Sequence, residues 1–369
     1  MAAVDLTPRT PKKAYGGDGG AYYEWSPADL PMLAVASIGA AKLSLAAGGL
    51  SLPSYSDSAK VAYVLQGVGT CGLVLPEATK EKVVAVKEGD ALALPFGAVT
   101  WWHNGPAAQA DLTVLFLGDT SKGHKRGQFT NFQLTGSAGI FTGLSTEFVS
   151  RAWDLPEPDA ARLVSSQPAS GIVKLPASAA ALPAPSPQDR AGVALNCLEA
   201  PLDVDIPGGG RVVVLNTANL PLVREVGLGA DLVRIDAHSM CSPGFSCDSA
   251  YQVTYIVRGS GRVPLHRAPL PCRVQDRRRV RDGVVLHHHH PEPGVQPPGG
   301  EDVGVEGHLA GGAAGVLQHH SGDGEAVPLQ EARLGDLFRA SQLQLKHQLS
   351  KTGERRSFSI VVKVMVINN

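Results

Sequence analysis

The sequence is short of the things that mark many functional classes. It has five cysteines in 369 residues, an odd number without metal-finger spacing: Cys71, Cys197, Cys241, Cys247 and Cys272. That excludes a disulfide scaffold and a structural zinc site, and reduced thiols are expected. Charge of either sign is not in excess, with 33 Lys and Arg against 34 Asp and Glu. A net charge of −1 gives no overall pull toward nucleic acid or an acidic membrane, so neither partner is expected. Long apolar runs are missing too: Gly, Ser, Pro or a charged residue interrupts every stretch that approaches about 18 residues, which excludes a transmembrane helix. The opening MAAVDLTPRTPKKAYGGDGG carries charges and glycines where a secretory signal needs a continuous apolar core, and the expectation is a cytoplasmic protein.

What is present is β-type patterning in two blocks. From about Leu33 to Gly118, short β-branched runs such as VAYVLQG, KVVAVKEGDALALP and DLTVLFLGD are broken by Gly, Pro or Asp. Strands at that spacing predict a barrel or sandwich. After Gly143 the period changes to 3.6, and LSTEFVSRAWDL and PDAARLVSS predict two short helices with Phe148, Ala152, Leu155, Ala161 and Leu163 at helical spacing. PASAAALPAPSPQDR has almost no large apolar side chain and predicts an exposed connector. A second β block runs from about Arg211 to Val263. The expected division is a first domain over 1–155, a helical and Pro/Ala/Ser connector over 156–195, an incomplete second domain over 196–263 and a tail without a core over 264–369.

Two stretches of the first block share a frame. Gly48 is followed by five residues, Ser54-Tyr55-Ser56, three residues, Lys60, six residues and Gly67. Gly89 is followed by five residues, Pro95-Phe96-Gly97, two residues, Thr100, three residues and Asn104. Gly and Pro fix turns here, and residues two apart on a strand share a face. The spacing resembles the two signature motifs of the cupin superfamily, which implies an all-β bicupin, two jelly-roll barrels with short helices after the first. In metal-binding cupins the inner face holds two His, a Glu and a third His. The matching positions here are Ser54, Ser56, Lys60 and Thr100. Hydroxyls are poor substitutes for imidazole, and an ammonium at the carboxylate position repels a divalent cation, so no metal, cofactor or catalytic residue is expected. Two other readings stand beside the non-enzymatic one. One is a metal-dependent cupin enzyme; the other is a small-molecule pocket formed by these four residues with Tyr55 and Trp101. Trp101 and Trp102 alternate in facing, so at most one lines the interior, and His103 falls on the face opposite Thr100.

In the second block SPGFSCDSAYQVTYIVRGSG aligns more loosely by Gly259, with Gln252 at the carboxylate position and Ser246 with Asp248, or Phe245 with Cys247, at the imidazole positions. LSLPSYSDSAKVAYVLQG, GIFTGLSTEFVSRAWDL, GGRVVVLNTANLPLV and QVTYIVRGSGRV together are similar to the legumin or glutelin (11S) type of seed storage globulin, particularly its signal-less cytosolic relatives. That resemblance implies a homotrimer and a nutrient-reservoir role. Storage globulins are cleaved after an Asn that precedes Gly-Leu-Glu; here the place reads Asn196, Cys197, Leu198 and Glu199, and no processing is expected.

Beyond Pro264 the pattern fails. Gly and Pro are dense, and nine of the twelve histidines fall at or after His266, including the tetrad His287 to His290. Such composition favours a disordered chain. A coding sequence for the tetrad with Pro291, Glu292 and Pro293 can decode, one base later, as Ile-Ile-Thr-Thr-Pro-Asn-Pro, which resembles the same globulin family. The expectation is a tail read out of frame, a second barrel truncated for want of its second motif, and a final run SFSIVVKVMVINN without a neighbouring strand to pair with.

Overall fold

The computed structural model describes residues 9–169, 171–176, 178–179, 181–241 and 251–259, and the backbone of 284–288 and 359–366. The first block supplies strands β1 (Lys12–Gly17), β2 (Gly20–Glu24), β3 (Ile38–Leu45), β4 (Gly49–Ser56), β5 (Ala59–Gln66), β6 (Val68–Val74), β7 (Lys82–Lys87), β8 (Asp90–Leu94), β9 (Val99–His103), β10 (Leu112–Asp119) and β11 (Asn131–Gln133). A short helix α1 (Met32–Ala36) precedes β3, and α2 (Thr146–Trp153) and α3 (Glu157–Ser165) follow β11. Next come β12 (Ile172–Lys174), α4 (Pro187–Arg190), β13 (Ala194–Asn196), β14 (Val204–Ile206), β15 (Gly210–Leu215), α5 (Val223–Val226), β16 (Leu228–Ile235) and β17 (Tyr251–Arg258). The last strands are β18 (Val284–His288) and β19 (Ser359–Val366).

Two antiparallel sheets form the first barrel, one in the order β1-β2-β3-β10-β5-β8-β13 and the other β11-β4-β9-β6-β7 with β12 on β4. Their facing sides enclose a core that includes Leu43, Leu45, Val64, Leu73, Val84, Leu92, Trp102, Val114 and Phe116. The first sheet is buried on its other side as well, where Val61, Tyr63, Ala91, Ala93, Leu115 and Leu117 meet Val213, Leu215, Leu220, Leu232, Val253 and Tyr255 of the second unit. Period-two alternation sends 61 and 63 outward and 62 and 64 inward, which explains why β5 and β8 read as unbroken apolar runs. Removal of such apolar area from water, at about 25 cal/mol per Å2, is the main favourable term in joining the units. The turns need glycine where the backbone reverses with positive φ: Gly67 has φ +86° and Gly89 +87°, and a Cβ at Gly67 runs into the Asp111 carbonyl.

The second unit repeats the first sheet's topology. Its order, β14-β15-β16-β19-β17-β18, places β19 between β16 and β17 as β10 lies between β3 and β5. The expectation that the final run has no partner is therefore corrected: Ser359–Val366 pairs along β16 and β17 on both sides. Val284–His288 pairs with β17, so 284–288 and 359–366 of the tail belong to a sheet. Among the described residues the second unit has no counterpart of the first barrel's facing sheet. The paired segments 284–288 and 359–366 correct the expectation of a tail without structure; the rest of the tail, and the positions Phe245, Ser246, Cys247, Asp248 and Cys272, lie outside the described residues.

The connector is exposed through its Ala- and Pro-rich centre, yet its ends are built into the first barrel. β12 pairs with β4 and β13 with β8, which extends the barrel past the expected boundary near 155. The two expected helices are present, but their apolar faces differ from the reading above. Phe148 is 56% exposed and Leu163 52%, while Val149 and Ala160 are buried. Each helix packs one narrow side against its neighbour, and the other apolar positions face outward.

Candidate functional site

β4 and β9 run antiparallel with Ser54 opposite Thr100, so two of the four motif positions are cross-strand neighbours. Ser54, Ser56, Ser58 and Lys60 follow at even spacing through the β4–β5 hairpin, and all four point into the barrel. With Thr100 they border a chamber of about 30 Å3 between the two sheets. The structure thus brings Ser54, Ser56, Lys60 and Thr100 to one place.

Several wall residues were not anticipated. Tyr15 and Tyr22 come from β1 and β2, stacked at 4.9 Å, and Asn131 comes from β11. Phe116 enters from β10, and Trp102, two residues after Thr100, lines the same wall. Ser51 joins despite its odd offset from Ser54, because a register shift between them lets both face inward. Tyr55 and Trp101, offered above as wall residues, are not in it. Tyr55 lies outside against Phe96 and Phe132, with ring centroids 6.2 and 5.6 Å away. Trp101 turns away to donate its indole N–H to Glu81 at 3.1 Å. Alternation along β4 turns Tyr55 out and alternation along β9 turns Trp101 out; the latter also leaves His103 off the chamber wall, where partial burial lowers its pKa.

Lys60 dominates the electrostatics. It is 6% exposed, and its Nζ lies 4.3 Å from the Phe129 ring centroid and 5.5 Å from that of Phe116. Burial drives its pKa down to about 7, against the Asp57 and Glu24 carboxylates, which favour the ammonium. Those carboxylates are engaged elsewhere. Asp57 accepts from the amides of His124 at 2.7 Å and Thr130 at 3.1 Å and from the Ser58 hydroxyl at 2.9 Å. Burial raises its pKa, but these hydrogen bonds outweigh it and the net displacement is downward. Glu24 accepts from the Gln128 amide at 2.7 Å, and burial raises its pKa. Burial also raises the phenols of Tyr15 and Tyr22, which stay protonated at neutral pH.

A cupin metal does not fit this donor set. The positions hold three neutral hydroxyls and an amine, and among the described residues no three of His, Cys, Asp and Glu come together. The described thiols are unpaired, and burial pushes Cys197 up to about 12, which keeps it a packing group. Among the described residues no helix is long and apolar enough to cross a membrane.

Two stacked β units, the first closed around a chamber at the motif positions, define the architecture of a bicupin. The cupin family (Cupin_1) matches residues 6–160 and 195–287, and the chain belongs to it. It is 26% identical to cocosin 1 of Cocos nucifera in an alignment 275 positions long that covers 58% of each chain. It is 25% identical to glutelin type-D 1 of Oryza sativa subsp. japonica, again over 58% of each. The crystal structure of the 11S allergen from Cocos nucifera superposes with a TM-score of 0.62 at 24% identity, over 77% of this chain and 82% of that one. The chain therefore spans under two thirds of the length of these two sequence relatives.

Proposed function

We propose that this protein is a non-enzymatic cupin of the seed storage globulin type, with a nutrient-reservoir role. The observation that carries the reading is the chamber wall: where a metal-dependent cupin needs imidazoles and a carboxylate, Ser54, Ser56 and Thr100 present hydroxyls and Lys60 an amine. Similarity to cocosin and glutelin supports the same reading. A self-associated trimer, a cytoplasmic location and an uncut Asn196–Cys197 bond belong to this proposal. So does a shifted reading frame after Pro264, which peptide mapping across Val263 and Pro264 tests; matching peptides from an intact frame on both sides defeat that part.

The test of the main reading is quantitative proteomics across seed filling and germination, with elemental analysis of the purified protein. A reserve accumulates and is then consumed, and carries no stoichiometric manganese or iron. Constant low abundance, or one bound transition metal per chain with chelator-sensitive turnover, overturns it.

A further inference from the structure

The barrel chamber is a donor-rich space with a single charged wall residue. Among the described residues Lys60 is that residue, and no Asp, Glu or His borders the cavity. The nearest carboxylates acting on Lys60, those of Asp57 and Glu24, are held by loop amides, the Ser58 hydroxyl and Gln128. Among the described residues no carboxylate oxygen lies within 4.0 Å of Nζ, whose short-range contacts are the faces of Phe129 and Phe116. The Ser56 hydroxyl is buried without a hydrogen-bond partner among the described residues. A buried amine and a buried hydroxyl of this kind are unfavourable unless an acceptor meets them.

We propose that the first barrel binds one small monoanion, a carboxylate of formate size, between Lys60 Nζ and the hydroxyls of Ser54, Ser56 and Thr100. Size and charge set the class. A water needs about 10–15 Å3 of such space, so 30 Å3 admits two or three non-hydrogen atoms. One ammonium matches one negative charge, and the hydroxyls supply donors to the second oxygen. The phenols of Tyr15 and Tyr22, also on the wall, are further donors. Trp102 and Phe116 also border the chamber, and their rings leave little room for a larger carboxylate. This site is independent of the reservoir role, and either stands if the other fails.

The experiment is a titration of the full-length chain with sodium formate at constant ionic strength, followed by calorimetry and by the 13Cε resonance of Lys60. Formamide serves as the neutral isostere of the same size. Expected are saturable formate binding, a Lys60 resonance that moves with it, and no response to formamide. Lys60→Met is expected to weaken formate by about tenfold or more, and Ser56→Ala by about threefold, from the loss of one charge-assisted and one weaker hydrogen bond. Should Lys60→Met fail to fold, the wild-type resonance and Ser56→Ala decide. Binding of formamide as strong as formate, an unmoved Lys60 resonance, or no saturation by about 100 mM formate, the sign of a chamber filled by water alone, overturns the proposal.

Discussion

Arg190 grips Asp90 with both guanidinium nitrogens, Nη1 to Oδ2 at 2.8 Å and Nη2 to Oδ1 at 2.7 Å, and the Asp90 carboxylate is fully buried. The same carboxylate accepts from Asn196 Nδ2 at 2.7 Å and from the Lys87 amide at 2.8 Å. One group thus ties the end of the connector, the β7–β8 turn and β13 together. Removing one partner of a buried pair strands the other, at about 3–5 kcal/mol. Asp90→Ala and Arg190→Met are each expected to lower stability by an amount of that order, and the double variant by little more than either single one. Urea unfolding measures all three; single losses under about 1 kcal/mol, or simple additivity, contradict the assignment.

Lys60 makes stability depend on pH in a set direction. Its pKa falls from 10.5 in the unfolded chain to about 7 in the fold. Between those values the unfolded state binds the extra proton, so stability rises with pH, by up to about 1.4 kcal/mol per unit, and this contribution is lost as pH falls through 7. Above pH 9 the buried thiols and phenols oppose it, since burial raises Cys71, Tyr22 and Tyr63. The clean observable is the stability of Lys60→Met minus that of wild type over pH 7–9. It should shrink steadily as pH rises, and a flat difference contradicts a depressed amine.

The two units are expected to unfold together. Leu220 is fully buried in the cluster shared by both, which also holds Leu33, Leu117 and Val223. Leu220→Ala leaves a cavity there and should cost about 2–5 kcal/mol without splitting the transition. Two separate urea transitions monitored by tryptophan fluorescence, or a loss below 1 kcal/mol, argue that the units are independent.

Much of this site was legible because strand alternation is rigid. Ser54, Ser56, Lys60 and Thr100 follow from the resemblance to the cupin motifs, whose frame of turns these residues share, and the opposite facing of Trp101 and Trp102 follows from the period of two. What alternation does not carry is the contribution of distant strands: Tyr15, Tyr22 and Asn131 reach the chamber through sheet order. Ser51 was missed because the register shift beside Pro53 breaks the parity that the count relied on. The repeat of topology left a trace that spacing alone did not use. Ala28-Asp29-Leu30-Pro31 before α1 and Ala218-Asn219-Leu220-Pro221 before α5 occupy the same place in the two units. The partner of the final run was hidden for a physical reason as well, since β19 pairs with strands more than one hundred residues earlier. Local pattern cannot specify such a contact.

The helices α2 and α3 provide the last test. Ser145 caps α2, accepting from the Phe148 amide at 3.2 Å, and the Phe141 and Trp153 rings meet edge-on at 5.1 Å, so the pair is fixed in place. Yet Phe148, Trp153 and Leu163 on these helices, and Ile140 in the turn that precedes them, stand 44–56% exposed. An apolar cluster of this kind is a common mark of association. If it serves the proposed trimer, Phe148→Ser with Leu163→Ser should leave the stability of the single chain within about 0.5 kcal/mol, because neither side chain is buried within it. The same variant should sediment as a monomer at concentrations where the wild type is trimeric. A wild-type chain that is itself monomeric, or a double variant that still forms trimers, removes these helices from the interface.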